Sequence, residues 1–184
     1  MQISCKSDIG RMRSQNQASV FASDTPVWKL PNLLIVADGM GGHKAGDFAS
    51  RYAVEKLVEC ISESVYENPL LIVSDAIRVV NRRIYEKSQD YEEYRGMGTT
   101  LTLAFVDEAS KLHVFQVGDS RLYLFRDDKL EQLLIKKQDV TRFLQAIAPL
   151  YRGVYMVNTK QDTCRYIYVP SYFKTMLENN HHAF

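Results

Sequence analysis

The order of elements in this sequence predicts an α+β fold, with helices laid on antiparallel sheet. Short strand-like runs come first, two amphipathic helical stretches follow, and a further series of strand-like runs comes after them. The links between the later strands are short, which makes antiparallel pairing the simplest topology. Strands and helices do not alternate along the chain, so a doubly wound parallel sheet is not indicated.

Residues 2 to 6 and 19 to 23 read as short strands, separated by a polar stretch with Gly10, Arg11 and Arg13. A turn at Thr25-Pro26 leads through Trp28 to an apolar run, Leu33 to Ala37, which reads as a buried strand. The run stops at Asp38, a carboxylate placed where strand meets loop, and Gly39, Gly41 and Gly42 follow almost at once. Glycines at this density let the backbone take positive φ and approach a ligand closely. An acidic side chain beside a flexible backbone suits a hard cation, which takes carboxylate and carbonyl oxygens. A tight strand-to-helix turn accounts for the same residues equally well.

A helix is expected over 45–66, where Ala49, Ala53, Leu57, Ile61 and Val65 fall four apart, with Val54 and Val58 beside them. Asn68-Pro69 punctuates, since Asn caps and Pro suits the first helical position. A second helix is expected over 70–88, with Val73, Ile77, Val80 and Ile84 on one face. The short connection makes the two helices antiparallel neighbours on one sheet. After a polar loop comes Gly96-Met97-Gly98-Thr99-Thr100, then a predicted meander of Leu101 to Val106, Leu112 to Val117 and Arg121 to Phe125. Leu130 to Ile135 follows a turn at Asp127-Asp128-Lys129. Beyond Lys137, Phe143 to Ala148 is expected to form a helical turn or two before Pro149. Gly153 to Asn158 is expected to pair with Thr163 to Val169 as a hairpin. The end, with His181 and His182, reads as a solvated tail rather than a metal site.

A chain of 184 residues is enough for one domain, or one domain and a fragment. Its 23 basic and 22 acidic residues balance, which argues against a nucleic-acid or membrane-surface role driven by bulk charge. No run approaches the roughly 20 apolar residues of a membrane span, and the first residues hold no signal-peptide core. Three cysteines, Cys5, Cys60 and Cys164, lie far apart, with neither metal spacing nor a disulfide framework. Free thiols in a reducing cytoplasm are expected.

Four stretches stand out together. They are Ser7-Asp8-Ile9-Gly10-Arg11-Met12-Arg13-Ser14-Gln15-Asn16, Val36-Ala37-Asp38-Gly39-Met40-Gly41-Gly42-His43, Gly96-Met97-Gly98-Thr99-Thr100-Leu101 and Val117-Gly118-Asp119-Ser120-Arg121. In this order they closely resemble the metal-dependent PPM-type (type 2C) serine/threonine protein phosphatases of bacteria, over about residues 3 to 135. The resemblance implies a sandwich of two antiparallel sheets flanked by helices, here incomplete on its C-terminal side. It implies a site for two Mn²⁺ or Mg²⁺ ions at one end of the sandwich, and hydrolysis of phosphoserine or phosphothreonine in proteins by a water the ions share. By matching position, Asp38 resembles the carboxylate that bridges both metals and Gly39 the backbone carbonyl ligand of one. Arg13 resembles the guanidinium that grips the substrate phosphate, and Asp119 the ligand of a third, weaker metal. Phosphoproteins, and a cognate serine/threonine kinase, are the implied partners.

The sequence departs from the family pattern in three ways. Asn16-Gln17 is followed by Ala18, where the family carries an Asp that orders metal-bound waters. The Ser-Asp-Gly and Asp-Asn motifs, which supply two more metal-binding aspartates, do not occur after residue 137, where Asp139 and Asp162 are the only aspartates. The family's C-terminal strands and helices are expected to be missing from these residues. Residues 1–137 therefore read as a partial phosphatase domain and 138–184 as a divergent tail. The Tyr-rich hairpin of that tail resembles the opening hairpin of a PAS-type sensor domain, and a hairpin completing a truncated sheet explains it as well. Three readings follow: a phosphatase impaired or inactive as it stands, a non-catalytic module that binds phosphorylated segments, or a truncated or fused remnant.

Overall fold

The computed structural model describes residues 2–11, 16–41, 43–133, 144–147, 153–158 and 163–166. In chain order, the strands β1 (Ala18–Ser23) and β2 (Leu33–Met40) precede the helices α1 (His43–Ser62) and α2 (Pro69–Asp90). A single 3₁₀ turn, Glu92–Tyr94, leads to β3 (Gly98–Thr99), β4 (Leu101–Val106), β5 (Lys111–Val117), β6 (Arg121–Arg126) and β7 (Lys129–Leu133). Three further strands are β8 (Leu144–Ile147), β9 (Gly153–Asn158) and β10 (Thr163–Tyr166).

The strands form two antiparallel sheets. The first runs β1-β2-β4-β5-β8, with β3 continuing the ladder along β2, and the second runs β10-β9-β6-β7. Alternation along each strand assigns its two faces. On β2, Leu33, Ile35 and Ala37 join a core shared with Leu57 and Ile61 of α1 and Ile72, Val73 and Val80 of α2. Leu34 and Val36 turn the other way and pack with Ala104, Leu112 and Val114 against Leu122 and Leu124 of β6. The result is a helix layer, a sheet and a second sheet, in that order. Each fully buried Leu, Ile or Val side chain removes apolar surface from water and contributes about 1.5–3 kcal/mol.

The α2 start follows its expected chemistry. Asn68 caps the helix by accepting the Leu70 N–H at 2.9 Å, and Pro69 takes the first position. The helices run antiparallel, with Lys87 near the end of α2 lying over the Tyr52 ring in the first half of α1. The β6–β7 hairpin turns at Asp127 and Asp128, with φ of 51° and 56°. Positive φ at both central residues is the mark of a type I′ turn, whose twist matches that of the flanking strands.

Several expectations need correction. Residues 2–6 form no strand; Ile3 alone of them packs on the inter-sheet core. Helix α1 stops at Ser62, so Val65, which continues the four-residue spacing, is 90% exposed. The predicted meander breaks after β5, because β6 enters the second sheet beside β7 and β9. Gly118, with φ of 93°, supplies the left-handed backbone at that change of sheet. Residues 144–147, expected as helix, instead pair with β5, Leu112 opposite Ala146. Tertiary pairing overrides the local pattern there, as it does for short apolar runs. The hairpin of β9 and β10 pairs Thr163 with Asn158, and β9 also pairs with β6. No described helix is long and apolar enough to cross a membrane.

Candidate functional site

Strand β2 does not end at Asp38. It runs on to Met40 because β3 extends the ladder, Gly39 opposite Thr99 and Met40 opposite Gly98. Asp38 therefore sits within a strand, held by pairing on both sides. Its side chain follows Leu34 and Val36 onto the face toward the second sheet, where it is buried at 5% exposure.

The register shows what surrounds it. On one side Ala18 lies directly opposite Asp38. On the other, Thr100 donates its N–H to the Asp38 carbonyl at 2.8 Å, and its Oγ1 accepts the Asp38 N–H at 3.1 Å. One step past the Leu101–Val117 pair, Gly118 lies against Thr100, where an added Cβ would meet Thr100 Cγ2 at 3.0 Å. Ala18, Asp38, Thr100 and Gly118 thus form one row across the sheet. The next row inward is Val20, Val36, Thr102 and Gln116.

The turn that follows Gly118 is tied back to this row. The hydroxyls of Thr100 and Ser120 share a hydrogen bond of 2.7 Å, and Gln116 donates its side-chain N–H to the Ser120 carbonyl. Thr100, Gln116 and Ser120 are all buried. Asp119, half-buried, is carried on this turn. Two oxygens of the second row, Thr102 Oγ1 and Gln116 Oε1, are buried and have no hydrogen-bond partner among the described residues.

The glycines of the loop serve packing as much as conformation. A Cβ on Gly39 would lie 1.8 Å from the Gly46 carbonyl oxygen, so β2 passes directly against the first turns of α1. The close approach expected toward a ligand is an approach to the chain's own helix. Gly41 alone of the described loop glycines has positive φ, 121°. The Gly39 N–H donates to the Gln17 carbonyl at 2.9 Å, which closes β1 onto β2 just outside the Ala18 pair.

The structure thus gathers the strand segment of Asp38 and Gly39 with the turn of Asp119, while Arg13 lies outside the described residues. Asp38, the Gly39 carbonyl and Asp119 are oxygen donors of the kind a hard cation takes. Among the described residues, however, no group of three His, Cys, Asp or Glu side chains is placed to hold a metal ion. The donor chemistry fits Mn²⁺ or Mg²⁺, and the donors among the described residues fall short of a full shell. In the sequence Gln17 and Ser120 stand only as members of motifs, with no role of their own, and Gln116 stands in none. The signal for Gln116 was a polar side chain at the inward-facing phase of a strand whose other inward positions, Leu112 and Val114, are apolar.

Comparison with known proteins agrees with this fold. A family model described as protein phosphatase 2C matches residues 13–148. The serine/threonine protein phosphatase PstP of Mycobacterium tuberculosis is 35% identical over 133 residues, covering 72% of this chain and 24% of that protein. Protein phosphatase PhpP of Streptococcus pneumoniae is 37% identical over 152 residues, covering 79% of this chain and 59% of that protein. A crystal structure of the PstP catalytic domain in complex with two manganese ions superposes with a TM-score of 0.61 at 28% identity, over 85% of this chain and 71% of that one. The chain spans about a quarter to somewhat over half of the length of these two relatives. The chain belongs to the protein phosphatase 2C family of serine/threonine protein phosphatases.

Proposed function

We propose that this chain carries part of the metal- and phosphate-binding site of a metal-dependent phosphatase for phosphoserine and phosphothreonine in proteins, and that the 184-residue chain by itself turns over little substrate. Asp38, the Gly39 carbonyl and Asp119 would hold Mn²⁺ or Mg²⁺. Such ions, when bound, neutralise charge developing on a phosphoryl group and make water available as a nucleophile near neutral pH. Arg13 receives the phosphate, because a planar guanidinium matches two phosphate oxygens at once. Residues 1–137 are read as the phosphatase-type domain and 138–184 as its tail. Its substrates come from a protein serine/threonine kinase in the same cytoplasm.

One observation carries the reading of low activity. The residue directly across the ladder from Asp38 is Ala18. Side chains at opposed antiparallel positions lie about 5 Å apart at Cβ, close enough to act on one ligand shell. A methyl there accepts no hydrogen bond, so it neither binds a cation nor orders water around one. The same observation favours a second reading, a non-catalytic module that holds phosphorylated segments through Arg13.

The test is turnover of para-nitrophenyl phosphate across a Mn²⁺ titration. It compares the chain, Ala18→Asp, the chain joined to a family-type C-terminal half, and both changes together. Turnover is expected to rise in that order. Robust Mn²⁺-dependent turnover by the unmodified chain, abolished by Asp38→Ala, would overturn the low-activity reading. Binding of a phosphoserine peptide without turnover, lost in Arg13→Ala, would favour the second reading.

A further inference from the structure

Asp119 sits on a turn, and turns are mobile unless something holds them. Three buried polar side chains hold this one. Ser120 is 2% exposed, Thr100 5% and Gln116 8%. Their hydrogen bonds form a continuous path. The Gln116 side-chain N–H donates to the Ser120 carbonyl, the Ser120 and Thr100 hydroxyls meet at 2.7 Å, and Thr100 Oγ1 accepts the Asp38 N–H. The path starts on β5, crosses the 118–120 turn, passes through Thr100 between β3 and β4, and ends at the backbone of β2. Gly118 allows it, since any Cβ there would press on the Thr100 methyl at 3.0 Å. A buried polar network costs free energy unless its members are paired. A pairing that joins this turn and the β3–β4 junction to two strands, β5 and β2, fixes their relative position.

We infer that Thr100 and Gln116 are positioning residues, which through Ser120 lock the turn carrying Asp119 to the strand carrying Asp38 and so set where the Asp119 carboxylate stands relative to Asp38. The inference rests on the metal-binding reading of Asp38 and Asp119. Neither Thr100 nor Gln116 is a donor to the ion. Thr100 holds the Asp38 backbone and Gln116 holds Ser120, the neighbour of Asp119, and outer partners of metal ligands are worth about 10- to 100-fold in affinity.

The probe is Mn²⁺ alone, titrated by calorimetry into the 184-residue chain and its variants. Thr100→Val keeps the shape and removes the hydroxyl, Thr100→Ser keeps the hydroxyl and removes the methyl, and Gln116→Leu removes the donor to Ser120. Thr100→Val and Gln116→Leu are expected to weaken Mn²⁺ binding about 10-fold or more, and Thr100→Ser to retain it. The loss should vanish when the same changes are made in Asp119→Asn, because the turn then has no carboxylate to position. A general loss of folding would instead persist on that background and would contradict the inference. Should Thr100→Val fail to fold, Gln116→Leu with and without Asp119→Asn decides alone. Mn²⁺ binding unchanged by Gln116→Leu, in a chain where Asp38→Asn abolishes it, would overturn the inference and leave the metal reading intact. Mn²⁺ binding indifferent to Asp38→Asn would overturn the metal reading itself.

Discussion

Two rows on the same face of the same sheet end up with opposite chemistry. The inner row, Ala22, Leu34, Ala104 and Val114, is apolar and packs against Leu122 and Leu124 of the second sheet. The outer row, Ala18, Asp38, Thr100 and Gly118, carries a buried carboxylate and a buried hydroxyl. Strand period and register are common to both, and only distance along the strands separates them. The alternation that fills the sandwich therefore also aims Asp38 between the sheets. The inner row supplies stability, and the outer row uses the position that the inner row fixes.

The largest effect should come from the side chains that the second sheet packs onto the inner row. Leu122 is fully buried where the two sheets meet, and Leu122→Ala leaves a cavity there, with an expected loss of about 2–5 kcal/mol in urea unfolding. A smaller loss would show that the second sheet is only loosely applied to the first. Next comes the contact that sets how closely the outer row lies to α1. Gly39→Ala places a methyl on the Gly46 carbonyl, with an expected loss of about 1–3 kcal/mol. Loss of Mn²⁺ binding without loss of stability in that variant would assign Gly39 to the ligand rather than to packing.

Ala18→Asp sharpens the comparison within the outer row. Without metal it sets a second carboxylate opposite Asp38, and like charges at opposed positions are destabilising by about 0.2–1 kcal/mol. With Mn²⁺ the sign should reverse, because a ligand bound only by the folded state stabilises it. Thermal melts with Mn²⁺ and with a chelator read both signs in one variant. A melt unchanged by metal in Ala18→Asp would separate position 18 from any ion site.

The smallest effect lies at the far end of the β4–β5 hairpin. Burial works to raise the Asp107 carboxyl, but hydrogen bonds from His113 and the Lys111 N–H outweigh it and hold the group below its ordinary value. A carboxyl depressed in the folded state contributes stability above its unfolded pKa and loses it as pH falls through the folded one. Asp107→Asn should therefore lower stability at neutral pH, by an amount that shrinks as the solution becomes acid. Mn²⁺ binding at neutral pH should be unchanged, since the hairpin end takes no part in the outer row.

The sequence made the first part of this architecture legible and the second part only partly so. The two helices showed through spacing, since Ala49, Ala53, Leu57 and Ile61 are all buried, and Asn68-Pro69 gave the α2 start by its capping chemistry. Asp38 and the Gly118-Asp119-Ser120 turn were visible as motifs. Their relation was not, because register is a long-range property: Ala18 meets Asp38, and Thr100 meets both Asp38 and Ser120, only once the sheet is assembled. The change of sheet after β5 was hidden for the same reason, since a short link serves a meander and a corner alike. The four residues of β8 were misread because so short a run has no period to distinguish strand from helix.

The claim that the outer row is a depleted metal site is tested most directly by Mn²⁺ calorimetry on the chain, Asp38→Asn and Ala18→Asp. Weak binding by the chain, no binding by Asp38→Asn and tighter binding by Ala18→Asp are expected. Two tight Mn²⁺ sites on the unmodified chain, or binding that survives Asp38→Asn, would contradict it.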